Sequence, residues 1–364
     1  MQNDLFTKSI LGNGSRPMNT LNDLFMSPEW YPLEMDLERR SVTFVRMSQK
    51  AYRRSVFHAT HAARRFGTDA FTVRLDDVLF GASSAARAAR RAHFILHCAF
   101  CCSTLLARYL ELLPASVVLK EPQWLTQLAL ARNNSVAGWS ELFDLSVHLL
   151  TRTYEPDEIA IIKTNIPCNR FGERFLERNG QATVTFLMTP IRDFLLAALK
   201  SDFRHSRVRW WNRDLRESNA AWPRSLAAVD CEKLTIEQAA AFFWLQTRVL
   251  CSELAAGPHG SRVLVLNGQR IAESPQEVLP AVAAMCGRTL NHEQLRWLVD
   301  HPTSRQYSKN TSRPFDANSR HQELEDLEKR HGKQADAAVD WAMSLGLDAD
   351  WLNVPETDAI TCTV

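Results

Sequence analysis

Apolar residues along this chain come in two patterns. Short unbroken bursts recur at Phe94-Ile95-Leu96, Ser116-Val117-Val118-Leu119, Glu158-Ile159-Ala160-Ile161-Ile162, Ala182-Thr183-Val184-Thr185-Phe186-Leu187 and Arg262-Val263-Leu264-Val265-Leu266. Bursts of this length, rich in β-branched residues, predict strands buried on both faces. Longer stretches of helical period lie between them: Ser103 to Leu113, Gln123 to Arg132, Trp139 to Arg152, Phe171 to Arg178, Phe194 to Lys200 and Ile236 to Ala256. Strands alternating with helices predict a three-layer α/β sandwich around a mainly parallel sheet of about five strands.

The ends of the chain are less regular. Residues 1–27 are polar, with Gly12, Gly14 and Pro17, and read as a loose arm. Helical patterns dominate from Pro28 to Arg65, with Trp30, Tyr31, Leu33 and Met35 as anchors, and Phe71 to Leu75 alternates like a strand. Ser83 to Arg91, rich in Ala and Arg, reads as an exposed helix or a linker. Arg320 opens a charged helix, and Ala337 to Leu345 is amphipathic. Residues 28–345 are expected to form a single α/β domain with helical additions, and residues 346–364 a tail.

Composition narrows the class. A chain of 364 residues, 45% hydrophobic and 23% charged, has the balance of a globular protein with a sizeable core. A net charge of +2 advertises no nucleic-acid partner. The 8 cysteines are scattered, which reads as reduced thiols; without a second Cys/His pair after Cys98-x-x-Cys101-Cys102, no metal is expected. No stretch has the length and apolarity of a signal peptide or a membrane span, so a cytoplasmic protein without a membrane partner is expected.

The chemistry gathers at predicted strand ends, where open parallel sheets bind ligands. After Phe94-Ile95-Leu96 comes a loop of small residues, Cys98 to Cys102, and then Ser103-Thr104 at the head of a helix. Strand, tight loop and hydroxylated helix start is an architecture that holds oxyanions on first-turn N–H groups. It is not a Walker A loop, because it has neither Gly nor Lys. The second strand ends in Lys120-Glu121-Pro122, where Pro122 favours an extended Glu121; a functional pair and a surface ion pair fit equally. The third strand ends in Lys163-Thr164-Asn165, the fourth precedes Arg192 and Asp193, and the fifth ends in Asn267-Gly268. The segment from Asp202 to Arg216 crowds Arg204, Arg207, Arg209, Arg213 and Arg216 around Trp210 and Trp211. It fits an anion-binding wall, a single-stranded nucleic-acid contact, or a half-exposed helix whose arginine stems pack on indoles.

The run FILHCAFCCSTLLAR resembles the phosphosulfate-binding loop of the sulfotransferase family, in a divergent bacterial form, which implies a P-loop-type fold with extra helices at both ends. On that resemblance Ser103 and Thr104 fall on paired hydroxyls, Cys102 on a glycine, Cys101 on the small residue before it and Phe100 on a basic residue. The passage from Gln269 to Leu279, closed by Met285-Cys286-Gly287, also resembles the family. So does Arg192 followed by Lys200 and Ser201, which implies a clasp on the donor's 3′-phosphate. Lys309 and Arg313 match a basic loop over the same phosphate.

The resemblance implies sulfuryl transfer from 3′-phosphoadenylyl sulfate (PAPS) to a hydroxyl or amine of a small-molecule, glycan or peptide acceptor. Glu121 would be the base, and Lys120 or Lys163 the cation absent at Phe100. The cofactor-binding set is Cys101, Cys102, Ser103, Thr104, Arg192, Lys200, Ser201, Lys309 and Arg313. Two other classes stand beside it: a non-catalytic nucleotide- or anion-binding protein, and a phosphotransferase, against which the missing Walker lysine counts.

Overall fold

The structure, a computed structural model, describes residues 21–58, 65–84, 90–131, 138–217, 221–303, 306, 317–346 and 349–354. Its central sheet orders five parallel strands as β5-β6-β4-β7-β8. These are β4 (Ala92–His97), β5 (Ser116–Lys120), β6 (Ile159–Lys163), β7 (Ala182–Met188) and β8 (Val263–Asn267). Each predicted burst forms one strand, and β4, β5 and β6 are buried at every position. Strand β7 pairs β8 in parallel from Val184↔Val263 to Met188↔Asn267. From β4 the chain crosses to the edge strand β5, fills the gap between them with β6, then crosses β4 to add β7 and β8 on the other side. The C-terminal end of β4 is therefore the point where strand order reverses, the place where open α/β sheets form a crevice.

The chain divides into two compact units, Met1–Ala92 with Leu113–Ile162, and His93–Leu112 with Lys163–Val364. In the first, β1 (Trp30–Asp36), β2 (Ser41–Arg46) and β3 (Ala70–Arg74) form an antiparallel sheet in that order. This corrects the helical expectation for the stretch after Pro28. The anchors Tyr31, Leu33 and Met35 are buried, but their spacing is two, the period of a strand. A register shift between Pro32 and Glu34 hid the alternation by placing Pro32 on the buried side as well. Residues 1–20 of the expected arm lie outside the described residues; Leu21–Met26 is helical, with Leu24 and Phe25 buried.

In the second unit the helices are α1 (Ser103–Leu110), α2 (Gly172–Arg178), α3 (Ile191–Ala198), α4 (Asp202–Arg216), α5 (Ile236–Ala256), α6 (Pro275–Met285) and α7 (Ala317–Ser344). Side-chain alternation on β4 shows that both faces are covered. Phe94 stacks on Phe175 of α2 at 4.0 Å, and Leu96 lies where Gly172 of α2 also meets Leu254 of α5. His93, on the opposite face, contacts Thr183, whose hydroxyl donates to the Met285 carbonyl of α6. Helix α5 starts with a capping box between Thr235 and Gln238, and carries Phe242, Phe243 and Leu245 into the core. No described helix is long and apolar enough to cross a membrane.

Candidate anion-binding site

Strand β4 delivers the chain into the turn Cys98–Cys102, and α1 leaves it. Cys98 N–H still follows the sheet, donating to the Leu187 carbonyl at 3.0 Å. The backbone then folds sharply: Ala99, Phe100 and Cys102 have φ of 65°, 52° and 58°. Each is a left-handed residue with a side chain, a state costing roughly 1–3 kcal/mol that surrounding structure must offset. Cys102, which matches a glycine in the resemblance, thus holds the conformation that favours glycine.

His97 and Asn169 supply part of the offset. Ala99 N–H donates to His97 Nδ1 at 3.1 Å, so the other ring nitrogen, Nε2, carries the proton and donates to the Thr164 carbonyl at 3.1 Å. Asn169 Nδ2 donates to the His97 carbonyl at 2.9 Å, and its Oδ1 accepts from His97 N–H at 3.4 Å. His97 lies within the run that carries the sequence resemblance and Asn169 outside it; both are buried polar side chains.

The turn leaves donors unspent. Cys102 makes no side-chain cap, and the first intrahelical bond is Leu106 N–H to the Cys102 carbonyl at 3.0 Å. The amides of Ser103, Thr104 and Leu105 lie ahead of it, where a helix has no internal acceptor. Ser103 and Thr104 are 6% and 4% exposed, and among the described residues neither hydroxyl has a hydrogen-bond partner. Orphan amides, orphan hydroxyls and the positive end of the helix dipole face the same small region, which suits an oxyanion.

Thiols and cations line the turn. Burial raises the Cys98 thiol well above its ordinary value. Burial pushes Cys101 the same way, but its neighbours Cys98 and His97 and the charge of Lys163 bring it well below. Lys163, 1% exposed at the end of β6, is thus close enough for its charge to act on Cys101 in the turn. The Phe100 ring packs 5.7 Å from Phe194 and 6.1 Å from Trp211. The Arg204 guanidinium lies 4.5 Å over it, and Arg320 Nη2 donates to the Phe100 carbonyl at 3.5 Å. Both arginines were visible in the sequence, but nothing in the pattern tied them to Phe100.

Arg192 is held by both oxygens of Glu328 and by Asp336 at 3.0 Å, and Lys200 by Glu323, all on α7. Ser201 is exposed and makes no side-chain cap at the start of α4. Lys309 and Arg313 lie outside the described residues. Lys120 and Glu121 belong to the first unit. Lys120 is 2% exposed, and its backbone is bracketed by His58, whose N–H donates to the Lys120 carbonyl and whose Nδ1 accepts from Lys120 N–H, both at 2.6 Å. Glu121 has φ of 53°, not the extended backbone expected before Pro122, because the strand stops at this bracket and turns directly into the helix Gln123–Leu130.

The basic-aromatic segment forms α4, and its arginines serve mainly the protein. Arg209 and Arg216 donate to the carbonyls of Leu234 and Leu226, and Arg207 spreads over Phe203, Trp210 and Trp211 at 5.6–5.9 Å. This is the packed-helix alternative. Among the described residues no group of His, Cys, Asp and Glu is placed to hold a metal ion.

No protein-family profile and no curated protein matches the chain. Among solved structures it is similar to a sulfotransferase domain from the curacin biosynthetic pathway, at 11% identity over 72% of this chain and 99% of that one, with TM-score 0.37. It is also similar to the sulfotransferase domain of the Synechococcus PCC 7002 olefin synthase, at 12% identity over 73% and 97%, TM-score 0.37. A sulfotransferase from Alicyclobacillus acidocaldarius matches at 14% identity over 73% and 100%, TM-score 0.37. At such values no residue role is carried over from them.

Proposed function

We propose that the turn after β4 seats the phosphosulfate of PAPS and that the protein transfers the sulfuryl group to a hydroxyl or amine acceptor. One observation carries the reading: an uncapped helix start whose amides and two nine-tenths-buried hydroxyls have no partner among the described residues, at the reversal point of a parallel sheet. Sulfuryl transfer asks a protein mainly to position an anionic group and stabilise its charge. Here the amides of Ser103, Thr104 and Leu105 and the hydroxyls would bind the bridging phosphate. Lys163 would supply a buried positive charge. The acceptor oxygen or nitrogen forms a bond to sulfur as the bond from sulfur to the bridging oxygen breaks. Adenosine 3′,5′-bisphosphate leaves, and the acceptor proton passes to solvent.

Calorimetry with adenosine 3′,5′-bisphosphate against ATP with Mg²⁺, followed by transfer of labelled sulfate from PAPS to a panel of acceptors, tests this. Preference for the bisphosphate together with transfer supports the reading. Binding without transfer leaves a non-catalytic anion-binding protein, and preference for ATP with Mg²⁺ leaves a phosphotransferase.

A further inference from the structure

The turn carries no basic residue of its own: Cys98 to Thr104 contains only Cys, Ala, Phe, Ser and Thr. A doubly charged oxyanion seated there by neutral amides and hydroxyls would have Lys163, whose charge reaches Cys101, as a single countercharge. Two arginines from distant parts of the second unit converge on Phe100. The Arg204 guanidinium, from the first turn of α4, stacks 4.5 Å over the phenyl ring. Arg320, near the start of α7, reaches the Phe100 carbonyl through Nη2 at 3.5 Å. Its Nε is buried without a hydrogen-bond partner among the described residues. A buried guanidinium donor left unpaired is costly, and a bound anion is the chemistry that satisfies it.

The rest of α7 explains how Arg320 is held. Downstream, Glu323 pairs Lys200, Glu328 grips Arg192 with both oxygens, and Asp336 adds a contact to the same guanidinium at 3.0 Å. Gly332 leaves room for this grip, since a Cβ there would collide with Glu328. Buried Leu327, Ala335, Ala338 and Ala342 fix the helix on its apolar side. Arg192 and Lys200 are thus the anchor points of α7, and α7 is the beam that presents Arg320.

We propose that Arg320, braced by the Glu323–Lys200 and Glu328/Asp336–Arg192 pairs and accompanied by Arg204, adds to the charge of Lys163 the further positive charge that the oxyanion seat at the turn after β4 needs. The proposal rests on the seat named in the preceding section and adds the residues that give it charge. Phe100 is then a platform: its ring carries one guanidinium and its carbonyl the other. The ligand class is a phosphate or sulfate ester carrying at least two negative charges.

Calorimetry on the full chain with adenosine 3′,5′-bisphosphate and with pyrophosphate, in low and moderate salt, is the test. Arg320→Ala is expected to weaken both ligands at least tenfold and to flatten the salt dependence, with Arg320→Lys recovering part of the loss. Arg204→Ala should cost severalfold. Glu328→Gln, which loosens the brace, should weaken binding in the wild type but add little to Arg320→Ala; the same substitution acting equally in both backgrounds would refute the brace. Thermal melts confirm that each variant is folded. If Ser103→Ala with Thr104→Ala loses binding while Arg320→Ala and Arg204→Ala keep wild-type affinity, the arginines are structural and this inference fails while the seat stands. If the wild type binds neither ligand, the seat itself is wrong.

Discussion

Gly268, the residue after β8, lies directly against the carbonyl of Cys101 in the turn after β4. A Cβ at position 268 would collide with both the oxygen and the carbon of that carbonyl, and Gly268 N–H is committed to the Met188 carbonyl at 2.7 Å. Two stretches of backbone meet here because one of them has no side chain. Gly268→Ala forces the Cys101 carbonyl aside, and overpacking against a backbone atom typically costs about 1–3 kcal/mol. Urea denaturation should show a loss in that range, with weaker binding of adenosine 3′,5′-bisphosphate. Wild-type stability and affinity in this variant would mean the approach is not what shapes the turn.

Ser103 and Thr104 make the opposite prediction for stability. Their hydroxyls bond nothing in the described protein, so removing them breaks no internal hydrogen bond. The double alanine variant should therefore unfold within about 0.5 kcal/mol of the wild type. Affinity for the bisphosphate should fall roughly tenfold or more, since hydrogen bonds to a charged group contribute about 1.5–3 kcal/mol each. A destabilised variant with unchanged affinity would reverse the assignment and make the hydroxyls packing groups.

The contrast between these positions shows what the sequence could reveal. The five core strands were legible because each is an unbroken apolar burst, and β4, β5 and β6 are buried at every residue. Ser103-Thr104 was legible because hydroxylated residues opening a helical run are a local signal. The hairpin after Pro28 was not, because the register shift at Pro32 breaks its alternation. Nor was the placement of Arg320, which lies 220 residues from the Phe100 carbonyl it reaches. The family resemblance implies Arg192 as a phosphate ligand, with Lys200 or Ser201 beside it. Its carboxylate partners, 136 and 144 residues away on α7, left no trace in that resemblance.

Two buried histidines set an acid limit. His58 Nδ1 accepts from Lys120 N–H, so its Nε2 proton faces the Tyr52 carbonyl at 3.2 Å. Burial, then the Lys120 charge, lowers its pKa to about 3. Thr183 spends its hydroxyl proton on Met285, so His93 Nδ1 must donate to Thr183, leaving a bare Nε2 buried without a partner. Burial lowers His93 to about 3 as well. Both pKa values are depressed relative to the unfolded chain, near 6.5. The unfolded state therefore takes up protons first, and stability falls as pH drops from about 6.5 toward 3, by up to roughly 2 kcal/mol per histidine at pH 5. His58→Asn, which keeps an acceptor for Lys120 N–H, should flatten the fall between pH 6.5 and 5 in urea titrations. An unchanged slope would show that carboxylates, not this histidine, govern the acid limit.

Arg152 offers the sharpest test of how the first unit holds its N-terminal segment. It is 2% exposed, yet it carries a guanidinium, and burial lowers its pKa to about 10. Every bond the side chain makes goes to backbone carbonyls: Nε to Leu149 at 2.7 Å, Nη1 to Leu24 and to Ser27 at 2.7 Å, and Nη2 to Trp30 at 2.6 Å. Those of Leu24, Ser27 and Trp30 lie where the helix Leu21–Met26 gives way to β1, a bend with no regular ladder to absorb them. Arg152→Met keeps the length and apolar stem but removes all the donors, stranding several carbonyls in a dry interior. Breaking a buried charged network by deleting one partner typically costs about 3–5 kcal/mol. Urea denaturation should register that loss, and limited proteolysis should open between residues 21 and 30 before the rest of the unit. Arg152→Lys, with a charge but a single donor centre, should fall between the two. A methionine variant as stable as the wild type, with that segment still protected, would mean that apolar burial of Leu24 and Phe25 alone docks it, and that the arginine only fills space.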